Sequence, residues 1–206
     1  MKLPELRIGN LVANVPIIQG GMAIRLSTAR LAAAVANEGG IGLIAISGMP
    51  YDEIRHEIRL ARELSPNGII GINAMVAAQD FKGIVTTALE EGIDLVVAGA
   101  GFSRDMFAWG KEYNTPIVPI VSSAKLAKIS QTLGAAAVVV EGAEAGGHLG
   151  TNRSSRVIVP EVRAAVDIPV IGAGGILHGE DIAAMLRLGA NGVQMGSRFA
   201  ASVESN

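Results

Sequence analysis

The stretch EGAEAGGHLG, residues Glu141 to Gly150, places two carboxylates and one of the chain's three histidines in a glycine-rich turn directly after an apolar run. The imidazole of His148 can accept a proton near neutral pH or donate a hydrogen bond to a developing negative charge. The same ring could instead cap backbone groups of its own loop. Glu141 and Glu144 invite comparison with paired hydrolase carboxylates, but their spacing in sequence does not set their separation, and hydrogen bonding to loop N–H groups explains them as well. Two further apolar runs end in bare backbone: GAGGI, Gly172 to Ile176, which includes Ala173, Gly174 and Gly175, and MGSRF, Met195 to Phe199, which includes Gly196 and Ser197. Glycines there can aim N–H groups at an anion such as phosphate, or simply permit tight turns. Asn73, read as ending its strand in GIN, offers a donor and an acceptor to a flat heterocycle, and a turn-forming role is open to it too. Lys128 falls in the first turns of its helix, where the dipole disfavours a cation; a ligand would explain it, and so would chance. His56 reads as solvated on a polar helix face, and His178, before GEDIAAML, as shaping a helix start.

Eight short apolar runs must position these groups. They begin at Pro16, Ile41, Ile69, Leu95, Pro116, Ala136, Pro169 and Gly192, about 25 residues apart, the length of one strand plus one helix. Uninterrupted apolar runs belong to strands covered on both faces, as in parallel sheets wrapped by helices. Between them, YDEIRHEIRLAREL sets Ile54, Ile58, Ala61 and Leu64 on one stripe of an outer helix. Ser123 reads as the N-cap of a helix carrying Leu126, Ile129 and Leu133 and stopped by Gly134, while Pro160 suits a first helical position. Gly39 and Gly40 precede a strand, whereas dinucleotide-loop glycines follow one, so they are read as a helix end and the turn into strand two. The pattern predicts an α/β fold, a TIM (β/α)8 barrel forming a single domain over 1–206, with a hairpin at 1–15 plugging its amino-terminal end. An open doubly wound sheet is the lesser alternative. The sequence after the eighth run is too short for a full closing helix, so that helix is expected to be truncated or absent. A longer parent chain and a second copy of the chain, as a homo-oligomer, both account for this.

Composition narrows the function. With 17 basic and 19 acidic residues the net charge is −2 and no basic run occurs, which disfavours nucleic acid as a partner. The apolar runs fall short of the ~18 residues of a membrane span, the charged amino terminus does not resemble a signal peptide, and a cytoplasmic location is the default expectation. The absence of cysteine excludes thiolate metal sites and cysteine nucleophiles, and no metal is expected.

Taken together, PIIQGGM, GIN, AKLAK, EGAEAGGHLG, IPVIGAGGI and GANGVQMGSRF closely resemble the nitronate monooxygenase (2-nitropropane dioxygenase) family of FMN barrels and its relatives, the flavin-dependent enoyl-acyl-carrier-protein reductases. The resemblance covers nearly the whole chain. It implies FMN with its phosphate on Gly174, Gly175, Gly196 and Ser197 beside Ala173, and its ring near Gly21, Met22 and Asn73. It also implies that Lys128, Glu141, Gly146 and Gly147 approach the flavin and that His148 is the catalytic base or proton donor. Glu141 would then accept from a ribityl hydroxyl while Glu144 braces the loop. Family members continue past GSRF with helices that cover the substrate, and Ser197 stands where threonine is usual. The activity implied is FMN-dependent oxidation of small-molecule alkyl nitronates with dioxygen. The alternatives are an NAD(P)H-dependent reductase of enoyl thioesters or quinones and, in another class, a non-catalytic barrel that binds a phosphate-bearing ligand or an inactive fragment.

Overall fold

The computed structural model describes residues 3–23, 25–147 and 150–206. A two-stranded hairpin, β1 (Leu6–Ile8) and β2 (Leu11–Ala13), turns through Gly9 and Asn10, with Gly9 in the left-handed region at φ 58°. Eight parallel strands follow: β3 (Ile17–Gln19), β4 (Ile41–Ala45), β5 (Ile69–Met75), β6 (Leu95–Gly99), β7 (Ile117–Val121), β8 (Val138–Glu141), β9 (Val170–Ala173) and β10 (Gly192–Met195). They form a closed barrel in chain order, with β10 pairing back onto β3. The helices alternate with them: α1 (Ala29–Asn37), α2 (Tyr51–Leu64), α3 (Phe81–Glu90), α4 (Asp105–Glu112), α5 (Ala124–Thr132), α6 (Ser155–Arg163), α7 (Gly179–Arg187) and a four-residue α8 (Ser197–Ala200) after β10. This is the TIM-barrel architecture the eight runs predict. No helix among the described residues is long and apolar enough to cross a membrane.

Strand alternation divides the core in two. Ile18, Leu43, Val97, Val139, Ile171 and Ala173 point inside the barrel, joined from below by Leu6 and Ile8 of the hairpin. Gly192, at the start of β10, makes room for that hairpin, because a Cβ there would stand 3.0 Å from Leu6 Cδ2. The intervening side chains, such as Val138, Val140, Val193 and Met195, face the helices.

Three sequence expectations need correction. Pro160 is not a first helical residue but lies within α6, which starts at Ser155 because the Ser154 hydroxyl accepts from Arg156 N and caps it earlier. Leu64 does not share the buried stripe of Ile54, Ile58 and Ala61: it is the last residue of α2 and is 46% exposed. Asn73 does not end its strand, since β5 runs two residues further. The helix signals at Ser123, whose hydroxyl accepts from Leu126 N, and at Gly134, left-handed at φ 97°, hold. His178 occupies the N-cap position of α7, and His56 is exposed.

Candidate functional site

At the carboxyl ends of the strands, register and alternation select which residues meet. Glu141 pairs laterally with Ala173, and Ala173 with Gln194. Because Val140, Val193 and Met195 face the helices while Ala173 faces inward, the three form one inward-pointing row across β8, β9 and β10. Ala173, with no side chain beyond Cβ, leaves an opening between two long polar ones. Burial pushes the Glu141 carboxyl above its ordinary value. Gln194 is buried, and its Oε1 has no hydrogen-bond partner among the described residues. A buried amide oxygen without a donor costs about 1–3 kcal/mol. Gly20 makes space for this side chain: a Cβ there would lie 3.2 Å from Gln194 Cγ.

Across the mouth, Asn73 on β5 also faces inward, half-buried between Ala45 and Val97 of the neighbouring strands. Gly21 rests directly on it, so that a Cβ at Gly21 would stand 2.6 Å from Asn73 Cγ. Met22 continues the same turn and lies against Gly196, whose absent side chain would be 3.6 Å from Met22 Sδ. The turn is held from behind. Gln19 Nε2 donates to Ser27 Oγ at 2.9 Å, Gln19 Oε1 accepts from Leu43 N at 3.0 Å, and Met22 N donates to Ser27 Oγ at 2.9 Å. Gly20 N donates to Met195 O, stitching β3 to β10 across the seam.

The loop after β8 lies across the tip of β9. Gly174 and Gly175 have φ of 101° and 68°, the left-handed region glycine tolerates, and a Cβ on them would stand 3.0 Å from Ala145 N and 3.1 Å from Glu144 Cβ. Glu144 braces this loop, as its carboxylate accepts from Ser154 Oγ and, at 2.9 Å, from Ser155 N at the start of α6. Burial alone would raise Glu144, but the bonds from Ser154 and Ser155 outweigh it and hold the carboxyl below its usual value. Among the described residues, nothing lies within 4 Å of where a Cβ on Gly146 or Gly147 would stand.

The structure therefore gathers Gly21, Met22, Asn73, Glu141, Ala173, Gly174, Gly175 and Gly196 around one mouth, with Gly146, Gly147 and the exposed Ser197 at its edge. Lys128 is not drawn into the row; it stands exposed in the second turn of α5. His148 lies outside the described residues. The reading from sequence missed Gln194, although a polar residue between Val193 and Met195 in an otherwise apolar strand was the available signal. It also missed Gln19 and Ser27, whose positioning role depends on contacts between β3, β4 and the loop before α1 that sequence does not reveal.

Comparison with known proteins agrees with the fold. A FabK from Thermotoga maritima superposes with a TM-score of 0.90 at 40% identity, covering 94% of this chain and 61% of that one. A nitroalkane oxidase from Streptomyces ansochromogenes superposes at 0.86 with 29% identity, covering 94% and 68%. Among curated relatives, a (3aS,4S,5R,7aS)-5-hydroxy-7a-methyl-1-oxo-octahydro-1H-indene-4-carboxyl-CoA dehydrogenase of Rhodococcus jostii is 35% identical over 92% of this chain and 53% of its own length. A probable nitronate monooxygenase of Staphylococcus aureus is 30% identical over 93% and 66%. The chain thus spans roughly half to two thirds of the curated relatives it matches. The nitronate monooxygenase family model matches residues 7–91 and 69–206, nearly the full length, and the chain belongs to that family.

Proposed function

We propose that the barrel mouth holds FMN and that the protein oxidises alkyl nitronates, with dioxygen as the final electron acceptor. One observation carries the flavin reading: the inward row of Glu141, Ala173 and Gln194 presents a buried carbonyl without a donor among the described residues, beside a strand tip whose Gly174 and Gly175 are left-handed. A polyhydroxyl chain ending in phosphate fits such a lining, since its hydroxyls can donate to Gln194 Oε1 and Glu141 while Gly174, Gly175, Gly196 and Ser197 receive the anion. Bound FMN would supply the two-electron chemistry that no side chain here provides. Asn73, held by Gly21, would orient the flat ring. His148 would take the α-proton when a neutral nitroalkane is offered, whereas a preformed nitronate needs positioning more than a base.

A second reading is an NAD(P)H-dependent reduction of enoyl thioesters. It is favoured by identity, which is 40% to the FabK and 35% to the carboxyl-CoA dehydrogenase, against 29% and 30% to the nitroalkane oxidase and the probable nitronate monooxygenase. Anaerobic mixing of the FMN-reconstituted protein with ethyl nitronate and, separately, with NADH distinguishes them. Rapid bleaching of the flavin bands by nitronate and not by NADH is expected; bleaching by NADH alone would transfer the assignment to the thioester reading, and failure to take up FMN would remove both.

A further inference from the structure

Outside the tips of β4 and β5, on the face that carries the site, lies a groove of about 420 Å³ lined chiefly by Met49, Pro50, Tyr51, Ala78, Asp80 and Ile84. Small-molecule sites have volumes of roughly 300–1,000 Å³ and combine apolar walls with a few polar groups, and this lining has that character. The groove is one turn of chain from Asn73. Asn73 O accepts from Ile46 N, Ile46 O from Met49 N, and Met75 O from Ala78 N, each at 3.0 Å. Met75 N donates to Ser47 Oγ at 2.8 Å, tying the two loops together where they leave the barrel. A molecule held in the mouth and extending outward across these tips would enter the groove.

Its polar corner selects the occupant. The Tyr51 hydroxyl donates to Asp80 Oδ2, while Asp80 Oδ1 accepts from Gly83 N and caps α3. Gly83 is required there, since a Cβ would run into both the Tyr51 oxygen and the Asp80 carboxylate. With its proton committed to Asp80, the Tyr51 oxygen has only lone pairs left to offer, and the one charged group in the lining is negative. A ligand group that meets the Tyr51 oxygen must therefore donate a hydrogen bond, and the Asp80 charge beside it disfavours an anion at that point, while the neutral amide of Gln79 also lines the groove.

Resting on the reading that the substrate reacts at the mouth, we propose that this groove receives a neutral aliphatic arm of the substrate, carrying a hydroxyl or amide N–H donor that meets Tyr51. The reacting anionic or thioester end stays at the mouth, against the flat ring that Asn73 would orient. The test needs neither flavin nor turnover. With methyl-labelled methionine and alanine, octan-1-ol should shift the Met49 and Ala78 resonances saturably, and octanoate should bind at least tenfold more weakly. Tyr51→Phe, which leaves the apolar walls in place, should weaken octan-1-ol severalfold, and Ala78→Trp should block it. Absence of saturable shifts at Met49 and Ala78 overturns the proposal, as does octanoate binding equal to octan-1-ol or affinity unchanged in both variants. If octan-1-ol binds as expected, loaded enzyme should show a KM for long-chain substrates that rises at least tenfold in Ala78→Trp, with short-chain KM unchanged. A KM indifferent to chain length overturns the assignment of the groove to the substrate.

Discussion

Gly21→Ala tests the contact on which the mouth is built. The added methyl would stand 2.6 Å from Asn73 Cγ and 2.7 Å from Asn73 Oδ1, and closer still to Asn73 Cβ. Carbon atoms in contact rest at about 3.5–4.0 Å, so the overlap is on the order of an ångström. Asn73 cannot retreat, because β5 is paired on both sides, to Ala45 and Val97, and Asn73 O accepts from Ile46 N. The tip of β3 must move instead, against the Gln19–Ser27 bonds that fix its turn. Overpacking of this kind costs about 1–3 kcal/mol. At about 2–4 °C per kcal/mol for a chain of this size, the melting temperature should fall by roughly 2–12 °C. Thermal unfolding followed by circular dichroism measures this, and FMN affinity measured by fluorescence quenching should fall in parallel. A double-mutant cycle sharpens the test. Asn73→Gly removes the obstructing Cβ and should recover most of the loss, with a coupling of about 1–3 kcal/mol; Asn73→Ala keeps that Cβ and should recover little. If Gly21→Ala lies within about 0.5 kcal/mol of the parent, or Asn73→Ala rescues as fully as Asn73→Gly, the packing argument is wrong.

Further substitutions probe the surrounding shell. Glu144→Ala removes the acceptor for Ser154 Oγ and Ser155 N and should cost about 1–2 kcal/mol in urea unfolding, while the conservative Glu144→Gln should cost less. Ala100, at the tip of β6, has φ 52°; relief of about 1–2 kcal/mol in Ala100→Gly is offset by a glycine entropy cost of about 0.4–1 kcal/mol, for a net gain of roughly 0.5 kcal/mol. Burial raises Glu141 in the folded state, so on going up in pH the unfolded chain releases this proton first and stability falls through the window between its unfolded and folded values. Glu141→Gln should therefore stabilise the protein at pH 8, with a gain that shrinks toward pH 4 as both states become protonated; an equal gain at both pH values would contradict the assignment.

The barrel was legible because its signals are local. Apolar runs such as Leu95–Gly99 can only be strands covered on both faces, and Ser123 and Gly134 bracket a helix by capping chemistry that acts within one turn. The errors arose where tertiary contacts decide. Pro160 looked like a helix start because its own preference is local, but Ser154, together with Glu144 reaching across from the previous loop, begins α6 earlier. Leu64 has the right spacing for the α2 stripe, yet as the last residue of the helix it is exposed. For the site, residue types in and after the apolar runs point to Asn73, Glu141 and the glycines of β9 and β10, whereas Gln194 is hidden inside a strand that reads as apolar. Its inward direction follows only from the register of β9 and β10, and register is a property of the closed barrel.

A buried polar atom without a partner does not by itself mark a site, and this chain supplies the control. Ser65 Oγ is also buried and has no partner among the described residues, but Ser65 is the C-cap residue of α2, at the opposite end of the barrel beside Gly68. Such an isolated hydroxyl is a small local cost with no ligand to relieve it. Gln194 differs because its side chain belongs to the same inward row as Glu141, whose charge burial disfavours, and both flank the smallest inward side chain of the row, Ala173. Two uncompensated polar groups converging on one space left clear by small residues are each costly when the mouth is empty and are relieved together by one ligand rich in hydroxyl donors. Filling that space from the protein side should therefore act on both at once: a larger apolar residue at Ala173 would keep the barrel wall intact, abolish FMN uptake and leave the costs at Glu141 and Gln194 unrelieved.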